Sequence, residues 1–140
     1  MKINTISATE NSFPARLENI PNRPASLYIR GALPVYDIGV AIVGTRKPTS
    51  YGKQITSELA QRLAERGVAI ISGLAHGIDG IAHEGALKAG GTTIAVLPSG
   101  LDTVYPSAHR GRHRHREEGA REGGPEDGPL RRLDLRLGGG

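Results

Sequence analysis

The stretch at residues 40–53, VAIVGTRKPTSYGK, decides the fold because it joins a buried strand to the start of a helix. Its first four residues form a continuous apolar run, which is typical of a strand buried on both faces of a parallel sheet. A glycine and an arginine follow, and a helical pattern begins at Ser50. The stretch therefore places a guanidinium, that of Arg46, just beyond the end of a buried strand.

The same alternation of strand and helix continues along the chain. Apolar runs predict strands at 26–30, 39–43, 68–72 and 92–97, whereas helical periodicity predicts helices at 50–66 and 78–88, with a short helix at 13–19. Strands that alternate with helices at this spacing indicate β-α-β units. We therefore expect an α/β fold built on an open parallel sheet with flanking helices.

The helix at 50–66 is predicted to face the core with its large aliphatic residues. Ile55, Leu59 and Leu63 share one face, which is backed by Ala60 and Ala64, and Gly67 stands where a glycine commonly ends a helix.

The last 32 residues have a different composition from the rest of the chain. Residues 109–140 contain eight Gly and eight Arg but no Lys, Ile, Val, Phe or Tyr. Such a segment buries little apolar surface, so we expect a partial domain at 1–108 and a disordered Arg/Gly-rich tail at 109–140. The tail is either a basic arm for nucleic acid or the product of a shifted reading frame.

Composition excludes several classes of function. The chain has no cysteine, which removes disulfides, thiolate catalysis and cysteine-bound metals. No apolar run is long enough to span a membrane and the first residues lack a signal-peptide pattern, so a cytoplasmic protein with no membrane partner is expected. The net charge is +4, divided about equally between residues 1–108 and the tail, so bulk charge does not identify a partner.

Three predicted strand ends are rich in glycine and hydroxyl residues: 44–46, 72–77 and 98–102. In an open parallel sheet these ends meet in one crevice, where glycine allows backbone N–H groups to approach a phosphate and Arg46 adds a bidentate cation. Each feature taken alone also fits an ordinary turn or a surface arginine. Neither a GxGxxG fingerprint nor a GxxxxGK[ST] loop is present, so no nucleotide cofactor is expected.

Three polar residues of the second predicted helix region raise the possibility of a metal site. His76, Asp79 and His83 are three and four residues apart, but His76 precedes the helix and Asp79 suits the helix dipole, so we expect no metal. His83 with Glu84 is interpreted as a packed or hydrogen-bonded pair. No catalytic triad is identifiable, so no catalytic residue is predicted.

Several motifs together resemble the DNA-processing protein family known as DprA or Smf. They are LYIRGALP, VAIVGTRKPTSYG, SGLAHGID, AHEGAL, GGTTIAVL and YPSAH, in that order over about residues 13–109. The resemblance implies a Rossmann-like domain that binds single-stranded DNA and loads the RecA recombinase during natural transformation, without being an enzyme. It also implies that Gly44, Thr45 and Arg46 form the phosphate-binding element and that Ser72 and Gly73 belong to the same pocket.

The resemblance stops near His109, where the family pattern continues with a further helix and strand and with residues of the homodimer surface. We therefore expect an incomplete sheet with an exposed flank at its last strands, low stability and weak DNA binding. Two alternatives remain: a nucleotide-processing enzyme of the phosphoribohydrolase type, with Glu84 and Asp102 as the nearest acids, or a truncated copy without function.

Overall fold

The computed structural model describes residues 2–97, residue 101 and residues 132–138. These residues form the strands β1 (Ile3–Ser7), β2 (Ser26–Arg30), β3 (Gly39–Ala41), β4 (Ala69–Ser72), β5 (Thr93–Leu97) and β6 (Arg132–Gly138), and the helices α1 (Ser50–Glu65) and α2 (Ile78–Lys88). A 3-10 turn at Ala15–Leu17 is what the structure retains of the helix expected at 13–19. No helix in the described part of the chain is long and apolar enough to cross a membrane.

The strands form one sheet in the order β1-β2-β6-β5-β4-β3. Strands β3, β4 and β5 are parallel neighbours, and α1 and α2 connect them in turn. This arrangement confirms the predicted α/β fold, a Rossmann-like parallel sheet with flanking helices. Strands β1 and β2 extend the sheet as an antiparallel pair, and β1 is an element that the sequence patterns did not predict.

Alternate residues of the central strands enter separate apolar clusters, as the two-residue period of a strand requires. Ile70 packs with the alanines of α1 and α2, whereas its neighbour Ile71 packs on the cluster around Phe13 and Ile29. The helices thus cover one face of the sheet, and the segment around Phe13 covers the other.

The two helices pack through small residues, which corrects the prediction for Ile55 and Leu59, whereas Leu63 packs on the buried cluster as expected. A Cβ atom added to Gly85 would lie 2.8 Å from the Cβ of Ala60, so the helices are in very close contact. Because Ala60 and Ala64 face α2, the larger Ile55 and Leu59 are turned outward and remain 41% and 46% exposed.

Disorder over 109–140 as a whole stays a prediction, but the structure describes Arg132–Gly138 within that segment as a strand. This segment forms β6, parallel to β5 and antiparallel to β2. Its sequence RLDLRLG alternates polar residues with leucine, a strand pattern that the composition of the whole tail concealed. The rest of the predicted tail lies outside the described residues.

The expected exposed flank lies at a different strand. Because β5 pairs with both β4 and β6, the last β-α-β strand is covered, and the parallel end of the sheet is β3. Val43, just after β3, is 69% exposed, and Ile55 and Leu59 on the following helix are also exposed. Unpaired strand edges and apolar surface of this kind promote association.

Replacing Gly85 by Ala should destabilise the fold by about 1–3 kcal/mol, because the new methyl group would overpack the contact with Ala60. Urea denaturation followed by circular dichroism would measure this loss. Gly52→Ala is the matched control, since its Cβ would meet the Thr49 Oγ1 at an ordinary 3.4 Å. An equal effect of both substitutions would contradict the close helix contact.

The double substitution Ile55→Lys and Leu59→Lys should reduce concentration-dependent association while changing the free energy of unfolding by less than about 1 kcal/mol, because both side chains are partly exposed. Light scattering over a concentration series, together with denaturation, would check this. Loss of the folded state would instead show that this face of α1 belongs to the core.

Candidate functional site

The loops that follow β3 and β4 touch each other through their backbones. Gly77 has a φ of 82°, and a Cβ atom there would collide with the carbonyl oxygen of Thr45 and lie 2.8 Å from the Cα of Arg46. The N–H of Ile78 donates a hydrogen bond to the same Thr45 oxygen at 3.2 Å. The structure therefore brings Arg46 to the crevice between these two strand ends.

The third predicted strand end, 98–102, lies outside the described residues except for Leu101. Leu101 is buried and belongs to one cluster with Leu74, Ala95 and Leu97. Leu74 lies in the loop after β4, so at this residue the third segment meets the second.

Asp79, in the first turn of α2, connects the two strand-end loops. Its Oδ1 accepts a hydrogen bond from the N–H of Gly44 at 3.3 Å, and its Oδ2 accepts one from the N–H of Gly73 at 3.2 Å. The carboxylate is only 7% exposed. Both amides that the sequence suggested for phosphate are thus bound by a side chain of the protein itself.

Ser72 is also engaged in an internal contact, and Gly44 makes a second one. The Ser72 hydroxyl, 3% exposed, donates a 2.6 Å hydrogen bond to the carbonyl oxygen of Ile42. A Cβ atom on Gly44 would lie 2.8 Å from the Cγ1 of Ile78, so the glycine allows α2 to approach β3. Ser72, Gly44 and Gly73 therefore shape the crevice from inside.

Three basic residues face solvent on the loop after β3 and the start of α1. Arg46, Lys47 and Lys53 are exposed, and Tyr51 is 73% exposed in the first turn of α1. The loop has a defined shape, because the Thr45 hydroxyl accepts a hydrogen bond from the N–H of Lys47 at 3.1 Å. The surface formed by these five residues is called the basic rim below.

The start of α1 beside the basic rim is capped by Thr49. Its hydroxyl oxygen accepts a hydrogen bond from the N–H of Gly52 at 3.1 Å. A capped helix start adds its positive dipole end to the nearby cations. The rim is therefore suited to an extended polyanion.

The residues considered for metal binding are engaged separately. His76 is exposed, Asp79 holds the two amides, and the Nδ1 of His83 lies 2.6 Å from the Thr93 hydroxyl. Because that hydroxyl donates its hydrogen to the Ile70 carbonyl, Nδ1 is the donor to Thr93. Within residues 2–97 and 101, no group of three or more His, Asp or Glu side chains is placed to hold a metal.

Of the two acids named for the alternative enzyme hypothesis, the structure describes only Glu84. Glu84 lies six residues beyond the start of α2, about 9 Å along the helix axis from that start. Asp102 lies outside the described residues.

Sequence reasoning assigned Asp79 to the helix dipole and missed its contacts with the strand ends. The available signal was its position two residues after Gly77, opposite two strands that each end in a glycine.

Comparison with known proteins agrees with this geometry. The family model of DNA recombination-mediator protein A matches residues 4–120. The chain belongs to this family. The resemblance stated from the motifs is thereby confirmed, and the matched range includes every residue of the crevice.

Relatives from distant bacteria show similar levels of identity. The DNA processing protein DprA of Bacillus subtilis is 42% identical over 106 residues, which cover 74% of this chain and 36% of the relative. The protein Smf of Escherichia coli is 40% identical over 105 residues, which cover 74% and 28%. The chain thus spans about a third of the length of these relatives.

Two solved structures of the family have the same fold. The structure of DprA from Streptococcus pneumoniae superposes with a TM-score of 0.77 at 31% identity, covering 96% of this chain and 44% of that one. DNA processing protein A from Helicobacter pylori, whose structure describes a single-stranded DNA binding mode, gives a TM-score of 0.66 at 35% identity, with 96% and 55% covered.

The contacts of Ser72 predict a structural effect of its removal. Ser72→Ala should lower the free energy of unfolding by about 1 kcal/mol, because it removes a buried hydrogen bond to the Ile42 carbonyl. Thermal melting would measure this, and DNA affinity measured below the melting range should change less than threefold. Unchanged melting combined with a tenfold loss of affinity would show that the hydroxyl contacts the ligand.

Proposed function

We propose that the chain binds single-stranded DNA along the basic rim and acts as a recombination mediator, by binding rather than by catalysis. The observation that carries the proposal is the position of Arg46. It is exposed, on a loop held against Gly77, and the segment 46–53 also carries two exposed lysines and an exposed tyrosine. Membership of the family and the single-stranded DNA binding described for the Helicobacter pylori protein support it.

The rim provides both kinds of contact that unpaired DNA uses. A guanidinium binds phosphate oxygens in a bidentate manner and stays charged at any physiological pH. Bases that are not paired stack on exposed aromatic rings, for which Tyr51 is placed. Backbone binding of this type carries little sequence preference, as a protein that handles arbitrary strands requires.

The five predicted site residues then have different roles. Arg46 contacts the phosphate, and Thr45 shapes the loop through its hydrogen bond with the N–H of Lys47. Gly44, Ser72 and Gly73 set the position of that loop through their internal contacts.

The wider setting of this activity is also part of the proposal. The mediator would act in the cytoplasm during natural transformation, loading RecA on incoming strands, with homodimers formed by longer relatives. These roles belong to the whole protein, and the chain spans 36% of the Bacillus subtilis relative and 28% of the Escherichia coli relative.

Arg46→Ala should weaken binding of an oligo-dT strand at least tenfold and reduce the slope of log affinity against log salt by about 0.7 for each phosphate that the protein no longer neutralises. The fold should persist, because the side chain is exposed. Fluorescence anisotropy over a salt series would measure both quantities. Arg62→Ala is the matched control, since it removes the same charge from the last turn of α1.

Binding through the tail is the main competing explanation. Replacing Arg110, Arg112, Arg114 and Arg116 by Gln tests it without deleting β6, which is part of the sheet. Affinity that survives Arg46→Ala but disappears in the glutamine variant would refute the rim as the binding surface. Release of free base from a nucleoside monophosphate, without DNA binding, would favour the phosphoribohydrolase alternative.

A further inference from the structure

We propose that Asp79 is the positioning residue of this site: its carboxylate occupies the amide pair in which a phosphate would otherwise bind, and so directs DNA to Arg46. The part of this inference that concerns DNA rests on the proposed function. The part that concerns the loops rests on geometry alone.

The Asp79 carboxylate has the contacts of a bound anion. One oxygen meets the N–H of Gly44 at the end of β3, and the other meets the N–H of Gly73 at the end of β4. Glycine amides at strand ends, beside a helix start, are the groups with which many α/β proteins bind phosphate. Here the anion is built into the chain and is almost completely buried.

Three consecutive residues of the Arg46 loop are held by the first turn of α2 and its cap. Asp79 holds Gly44, the N–H of Ile78 holds the Thr45 carbonyl, and Gly77 packs against the backbone of Arg46. The backbone of Arg46 is therefore held in one position, although its side chain is exposed. A loop ordered before binding leaves less conformational entropy to be lost on DNA binding.

The buried negative charge also determines where a DNA phosphate can bind. A phosphate approaching Gly44 or Gly73 would meet both a filled amide pair and a like charge, whereas at Arg46 it meets a cation. DNA is thus expected to bind along the outer side of the loop. Gly44 and Gly73 then affect DNA binding only by holding the loop in position.

If Asp79 acted only on the helix dipole, its substitution would leave the exchange of the Gly44 and Gly73 amides unchanged. Asp79→Asn keeps the size of the side chain but replaces one accepting oxygen by an NH₂ group, so one of the two hydrogen bonds cannot form. Hydrogen exchange followed by NMR should show at least tenfold faster exchange at Gly44 or Gly73. The N–H of Gly52, bonded to Thr49, is the internal control and should not change. Unchanged exchange at both glycines would overturn the inference.

The link to DNA is tested by a double-mutant cycle. Arg46→Ala should weaken oligo-dT binding at least tenfold in the wild-type background but less than threefold in the Asp79→Asn background, because the loop is no longer fixed. The same fold-loss in both backgrounds would refute the positioning role. No effect of Arg46→Ala in the wild type would overturn the proposed function instead, and the exchange experiment would still decide the loop contacts.

Chemical rescue addresses the case in which Asp79→Asn folds poorly. In Asp79→Ala, added formate should refill the space between the two amides and raise both the melting temperature and the oligo-dT affinity, whereas chloride at equal ionic strength should not. Wild-type protein should respond equally to both salts. The absence of a formate-specific effect in a folded Asp79→Ala variant would contradict the anion-like role of the carboxylate.

Discussion

The fold depends on how closely the helix α2 approaches its neighbours, and glycine makes that approach possible. At Gly77 the chain passes against the backbone of Thr45 and Arg46 with no room for a side chain, and it does so at a positive φ that glycine adopts without strain. Gly44 also leaves no room for a Cβ atom beside Ile78, and Gly85 leaves none beside Ala60. These contacts bring two strand ends to a single crevice and place α2 across both, so the local backbone geometry sets the position of every group in the site.

This close packing also separates the inside of the crevice from its surface. Inside, the polar groups at the strand ends have partners: the Gly44 and Gly73 amides bind Asp79, and the Ser72 hydroxyl binds the Ile42 carbonyl. Outside, Arg46, Lys47 and Lys53 remain exposed to solvent. A crevice whose interior amides are already bound by a carboxylate and whose rim is cationic is suited to a long anion lying across it rather than to a small anion entering it.

The sequence predicted most of this architecture, because the relevant patterns are local. The strand Ser26–Arg30 and the helix Ile78–Lys88 have the predicted bounds, since turn residues and periodicity mark both ends. The outward face of α1 could not be predicted from periodicity alone, because the helix has two apolar faces, one with Ile55 and Leu59 and one with Ala60 and Ala64. Packing against Gly85 decides which of the two faces α2. Strand β1 was missed because its sequence INTIS has no continuous apolar run. Strand β6 was missed because the composition of the tail concealed its leucine alternation.

For the site, too, local motifs could be predicted from the sequence, whereas contacts between residues far apart in sequence could not. Motif spacing indicated that Arg46 and the glycine loops converge, which the contact between Gly77 and Arg46 shows. It could not indicate that the glycine amides are already bound, because the bond between Gly44 and Asp79 joins residues 35 positions apart. Even so, the bonds from Gly44 to Asp79 and from Ser72 to Ile42 both lie within one strand-helix-strand-helix unit. The residues that make these contacts all lie within 42–79, so one continuous segment of the chain builds the crevice.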